Sequence, residues 1–105
     1  MSAVWVYVTA SDAAEAEKLG RAAVEARLAA CANILGPTTA IYWWEGQVES
    51  GAEVALVLKS RQDLVPAITE KINALHSYDC PCVVALPISG GNAEYLQWIE
   101  DETQG

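Results

Sequence analysis

Residues 54–58 read Val-Ala-Leu-Val-Leu, apolar at every position. A strand that is apolar on both faces is buried on both, so it sits in the middle of a sheet with strands to either side. The other extended segments have to be placed around it. Residues 3–10 alternate, with Val4, Val6 and Val8 on one side and Trp5 and Tyr7 on the other, the period-two signature of a strand. Residues 32–44 read as a further strand with a break at Gly36-Pro37. Glu45-Gly46 then turns the chain back into the strand containing residues 54–58, in which Gly51 suggests a bulge. A last strand covers residues 80–88, and Pro81 near its start argues for an edge position.

Helices separate these strands. Asp12 caps one, with Glu15 as its capping-box partner. Ala16, Leu19, Ala23, Ala26 and Ala30 recur on one face, which predicts a helix over about 12–30 lying close to its sheet. Leu64, Ile68, Ile72 and Leu75 form the stripe of a second helix over about 62–76, capped by Ser60 or Asp63; Pro66 favours Asp63. Gly90-Gly91-Asn92 opens a short C-terminal helix carrying Tyr95, Leu96, Trp98 and Ile99.

The order β-α-β-β-α-β plus a terminal helix predicts an α+β, ferredoxin-like fold. In it a four-stranded antiparallel sheet of order 4-1-3-2 carries two helices on one face. At 105 residues this is one domain, 1–105, and the fold by itself assigns no activity.

Composition removes whole classes of partner. With a net charge of -8 and only six Lys and Arg, the chain cannot neutralise a phosphate backbone or an anionic bilayer, so neither nucleic acid nor membrane is expected. The N-terminal stretch lacks a basic region and a cleavage site, so no signal peptide is expected and the cytoplasm is the default. Three Cys, in a compartment that keeps thiols reduced, predict no structural disulfide.

Two features invite a functional reading. His76, Cys80 and Cys82 form His-x-x-x-Cys-x-Cys. If residues 80–82 are strand, the two thiols share a face roughly 6.6 Å apart. They could then converge on one soft ion, with the imidazole closing from the loop, a donor set that suits Cu(I) or Zn(II). Equally, Cys80 and Cys82 read as small hydrophobes of a half-buried strand, and His76 as a polar helix-end residue. The second feature is Ile41-Tyr42-Trp43-Trp44, which puts large rings on both faces of a ribbon beside a turn. A hairpin tip cannot bury both faces within its own small domain, so self-association is expected there. Nucleophile elbows and Gly-rich phosphate loops are absent, and Glu45 beside the Trp pair is the one weak candidate for acid–base work.

Several segments resemble the CutA family of divalent-ion tolerance proteins. They are Val-Tyr-Val-Thr-Ala at 6–10, Glu-Ala-Arg-Leu-Ala-Ala-Cys-Ala-Asn-Ile at 25–34 and Ile-Tyr-Trp-Trp-Glu-Gly at 41–46. Leu-His-Ser-Tyr at 75–78, Ala-Leu-Pro-Ile at 85–88 and Asn-Ala-Glu-Tyr-Leu-Gln-Trp-Ile at 92–99 complete the set. The resemblance implies a ferredoxin-like subunit in a homotrimer similar in assembly to PII signalling proteins. It implies a link to tolerance of copper and other divalent ions, with no required cofactor and no enzymatic activity. Three departures bear on a metal site. Cys82 stands where the family often has Glu, Val8 stands where some members carry a Cys proposed as a ligand, and Leu35-Gly36-Pro37 replaces Leu-Pro-Gly. Of the ligands suggested in the family, only His76 matches.

The functional expectation is therefore a homotrimer that responds to divalent metal ions and binds copper through His76, Cys80 and Cys82. The alternative is a PII-like regulatory module holding a small ligand or partner protein in inter-subunit clefts. An acylphosphatase is excluded because residues 9–12, Thr-Ala-Ser-Asp, offer no Arg.

Overall fold

The central strand pair fixes the architecture. In the computed structural model, which describes residues 2–103, β1 (Ala3–Ala10) lies antiparallel to β3 (Gln47–Arg61), with Val6 opposite Leu58 and Val8 opposite Leu56. β2 (Cys31–Trp44) flanks β3 and β4 (Val83–Pro87) flanks β1, giving the order β2-β3-β1-β4 that the sequence predicts. On one face, Val4, Val6, Val8 and Ala10 meet Val54, Leu56 and Leu58, all buried. Ala16, Leu19 and Ala23 of α1 (Ala13–Glu25) and Ile68 and Ile72 of α2 (Val65–Leu75) close over them. Gly20 shows how near α1 lies: a Cβ there would stand 3.0 Å from the Cβ of Ala32. α3 (Ala93–Glu102) packs on the opposite face, where the Lys59 ammonium donates to the Tyr95 hydroxyl at 3.1 Å.

Local chemistry explains where the elements depart from the sequence pattern. α1 begins at the expected Asp12 cap, whose carboxylate accepts the Glu15 N–H at 2.8 Å. It stops at Glu25, not at 30. Arg27 adopts φ 61, and the N–H groups of Leu28 and Ala29 both turn back onto the Ala23 carbonyl, which ends the helix despite the Ala-rich continuation. The Arg27 guanidinium is held there by the Glu102 carboxylate at 2.6 Å. Ahead of α2, a 3-10 turn occupies Gln62–Leu64, and neither Ser60 nor Asp63 caps the helix. The Ser60 hydroxyl donates instead to the Leu28 carbonyl, and Asp63 faces Arg61 at 3.5 Å; Pro66 sits in the first turn, where its missing N–H costs nothing.

The bulge lies in β2 rather than at Gly51. Register moves from Ile34 opposite Leu56 to Gly36 opposite Ala55, leaving Leu35 unpaired, with Gly36 at φ 107. Gly51 pairs regularly with Ala40, and a Cβ there would make only an ordinary contact with the Tyr42 hydroxyl, at 3.8 Å. At the hairpin end, Glu45 (φ 49) and Gly46 (φ 79) make the two-residue left-handed turn that matches strand twist. β4 is shorter than predicted, beginning at Val83, so Cys80, Pro81 and Cys82 lie in a loop and not in a strand.

Candidate functional site

α2 ends at His76, whose backbone is extended (φ -73, ψ 146) and whose N–H bonds to the Ile72 carbonyl. The imidazole is fully buried. Its Nε2 lies 2.7 Å from the Thr9 carbonyl, and its Nδ1 lies 3.0 Å from the Tyr78 backbone N–H. A carbonyl only accepts and an amide N–H only donates, so Nε2 carries the proton, Nδ1 accepts, and the ring is neutral. The Tyr78 ring packs against it at a tilt of 41°, with ring centroids 4.5 Å apart.

Beside the ring stands Glu15, its Oε1 3.8 Å from Nδ1. Its carboxylate bridges two loops: it accepts from the N–H and hydroxyl of Ser11 at 2.9 and 3.0 Å, and from the N–H and hydroxyl of Ser77 at 2.8 and 3.0 Å. Burial alone would raise its pKa, but these four hydrogen bonds to the ionised form outweigh burial and bring it down to about 2. On the far side of the loop the Tyr78 hydroxyl donates to Glu53 at 2.9 Å. Burial, then that bond and the Glu53 charge, push the phenol up to about 12. Burial and the same carboxylate also raise the Cys82 thiol above its ordinary range. Cys80 is exposed and Cys82 is half-buried.

The loop therefore gathers Glu15, His76, Ser77, Tyr78 and Glu53, and it brings Cys82 close enough to feel Glu53. It does not assemble the predicted trio. Among the described residues no three His, Cys, Asp or Glu side chains converge at metal-binding range, and neither His76 nitrogen is free of a hydrogen bond. The sequence pattern gives Glu15 only as a helix-cap partner. Tyr78 and Glu53 are 25 residues apart and carry no local signal of their pairing.

The hairpin is the second candidate surface. β1 stops opposite Val54, so residues 38–53 of β2 and β3 run on as a two-stranded ribbon, and the chain is elongated, 44 × 25 × 22 Å. Trp43 is 75% exposed and Trp44 60%, with Ile41 and Val48 also open to solvent. Trp5, Val84 and Leu86 add exposed apolar area on the sheet face that the two core helices leave free. A shallow groove between α1 and β2, with Trp98 on its wall, lies away from both regions. Among the described residues no helix is long and apolar enough to cross a membrane.

A ferredoxin-like domain with an overhanging aromatic arm and a polar loop tied to β1, α1 and β3 is the class that these features define. Residues 4–102 match the family described as CutA1 divalent ion tolerance protein. The chain is 43% identical over 99 residues to the chloroplastic protein CutA 1 of rice, covering 94% of this chain and 56% of that protein, so it spans little more than half of that relative's length. It is 37% identical to the divalent-cation tolerance protein CutA of Archaeoglobus fulgidus, over 95% of this chain and 97% of that one. The solved structure of the periplasmic divalent cation tolerance protein CutA from the same organism superposes with a TM-score of 0.94 at 36% identity, covering 97% of this chain and 99% of the other. The chain belongs to the CutA divalent-ion tolerance family. That family is named for tolerance of cations rather than for a reaction, and its chloroplastic and periplasmic relatives do not tie it to the cytoplasm expected from the sequence.

Proposed function

We propose that the chain works as a homotrimer in the tolerance of divalent metal ions, and that the ion it binds is copper. The observation that carries the assembly is the ribbon 38–53. An isolated two-stranded ribbon is marginal in water, and this one exposes Trp43 on one face and Trp44 on the other. A neighbouring subunit that covers both rings stabilises the ribbon and removes the apolar patch together. The free edges at β2 and β4 offer further backbone pairing. For copper, the donors are the thiols of Cys80 and Cys82, separated by Pro81 on a loop with one thiol exposed. Thiolates suit Cu(I), and binding requires both to lose their protons, so affinity rises with pH. Sedimentation equilibrium at micromolar concentration is expected to give three times the 11.2 kDa subunit mass; a monomer there overturns the assembly. Titration of reduced protein with Cu(I) against a competing chelator is expected to show one site per chain that the Cys80→Ser, Cys82→Ser variant lacks. Equal affinity in parent and variant overturns the thiol site.

A further inference from the structure

We propose that His76 is a positioning residue: its imidazole takes the place of the Cys82 N–H at the end of the β1–β4 ladder, holds the 77–82 loop off the sheet, and leaves metal binding to the thiols alone. This deepens the reading of Cys80 and Cys82 as the copper site.

The register makes the substitution visible. β1 and β4 pair from Val4 opposite Pro87 to Val8 opposite Val83, and the Ile88 N–H donates to the Ala3 carbonyl. Carbonyls of alternate residues in a strand point to the same side, so the Thr9 carbonyl, like that of Ala3, faces β4. One further step of the register puts Cys82 opposite Thr9. The Thr9 carbonyl is nevertheless satisfied by His76 Nε2 at 2.7 Å, and β4 begins one residue later, at Val83. The imidazole thus terminates the strand. It is also why the thiols stand in a loop, where the sequence pattern alone puts them in the strand.

The second nitrogen sets the path of the loop. Nδ1 accepts the Tyr78 N–H and turns the chain. Ser77 is fastened to Glu15 by both its N–H and its hydroxyl, and the Tyr78 hydroxyl reaches Glu53. Residues 76–78 are therefore tied to β1, α1 and β3 at once, immediately before Cys80. For His76 to ligate an ion, the ring would have to release Thr9 or Tyr78, leaving a backbone group unpaired beside a buried ring. Its chemistry in this fold is that of a bridge with one donor and one acceptor.

His76 is the only histidine, so 15N-histidine labelling reports on it alone. The expected spectrum at neutral pH is the neutral tautomer protonated at Nε2, unmoved by Zn(II) or Cu(I). The Nδ1-protonated tautomer, or a metal-induced shift of either nitrogen, overturns the proposal. Positioning is read separately by alkylation, with Cys31 as the internal control. His76→Ala is expected to speed modification of Cys82 about tenfold relative to Cys31, because the local tether is lost. His76→Gln, which can still donate to the Thr9 carbonyl, is expected to restore most of the protection. An unchanged ratio in the Ala variant overturns the tether. If that variant unfolds, seen as Cys31 and Cys82 accelerating together, the tautomer measured on the parent decides. The tautomer and the alkylation ratios are read without metal, so failure of the thiols to bind Cu(I) would remove the copper reading while leaving the role of His76 to stand or fall on its own data.

Discussion

The body of the domain and its arm share the same two strands, β2 and β3, and they solve opposite problems. In the body, β3 from Val54 to Leu58 is buried on both faces. One face lies under α1 and α2, and β1 and β2 flank its edges. Beyond Val54 the same strand loses its β1 partner and continues with β2 alone, and β2 carries Ile41, Trp43 and Trp44 into solvent beside it. The body encloses a packed core of its own. The arm has the backbone pairing of a sheet without the layer that makes a sheet stable. The arm carries large apolar residues as the body does, so what separates the two is the presence of a covering layer.

The sharpest way to break the comparison is to truncate one large side chain in each region. Leu56→Ala, fully buried under the helices, is expected to cost about 2–5 kcal/mol. A Trp43→Ala, Trp44→Ala variant removes two rings that touch little of their own chain. It is expected to cost about 2–4 kcal/mol per ring in assembly. The two losses differ in kind: the parent and Leu56→Ala should melt at temperatures that rise with protein concentration, whereas the double Trp variant should lose that dependence. Melting scans over a hundredfold range of concentration measure both. A concentration-independent parent would show that the arm stands uncovered.

The body was far more legible than the loop. Alternation in residues 3–10 and the unbroken apolar run 54–58 carry their own period, and a strand buried on both faces can sit in few places, so order and orientation were readable. The end of α1 was not, because Ala26, Ala29 and Ala30 are good helix formers. What stops the helix is Arg27 at φ 61, pinned by Glu102 some 75 residues away. The length of β4 failed for a related reason: its first ladder position is taken by the ring of His76, a contact across 67 residues. The residues of the candidate loop were individually conspicuous, His76, Cys80 and Cys82 above all. Their roles depended on which backbone groups were already paired, and no local spacing encodes that. Glu53 carries no local signal, because its partner Tyr78 lies 25 residues away.

That loop also predicts how the body answers acid. Glu15 has its folded-state pKa lowered from 4.5 to about 2, so the unfolded chain binds its proton first as pH falls. The contribution of Glu15 is therefore whole above pH 4.5 and drains away as pH drops toward 2. Glu15→Gln is expected to lose roughly 1–3 kcal/mol at neutral pH, because an amide cannot accept all four donors, and to flatten the stability curve between those limits. Urea midpoints at pH 7, 4 and 3 check it. A parallel offset between parent and variant at every pH would show that the carboxylate does not carry the acid response.

The smallest expected effect compares the same substitution in the two regions. Alanine at either glycine recovers about 0.5–1 kcal/mol of backbone entropy in a helix or strand interior. At Gly20 the added Cβ would meet the Ala32 Cβ at 3.0 Å, with strand backbone behind it, so α1 must shift away from the sheet. Overpacking of that kind costs about 1–3 kcal/mol, and Gly20→Ala should be net destabilising by about 1 kcal/mol. At Gly51 the nearest atom is the Tyr42 hydroxyl at 3.8 Å, an ordinary contact with a side chain that can move. Gly51→Ala should therefore stabilise the arm by about 0.5 kcal/mol, small beside every effect above but opposite in sign to its counterpart in the body. Denaturant midpoints for the two variants resolve the sign. A loss of more than about 1 kcal/mol at Gly51 would mean that another chain approaches that backbone as closely as Ala32 approaches Gly20, and would put the covering surface of the proposed trimer on the Tyr42 face of the ribbon.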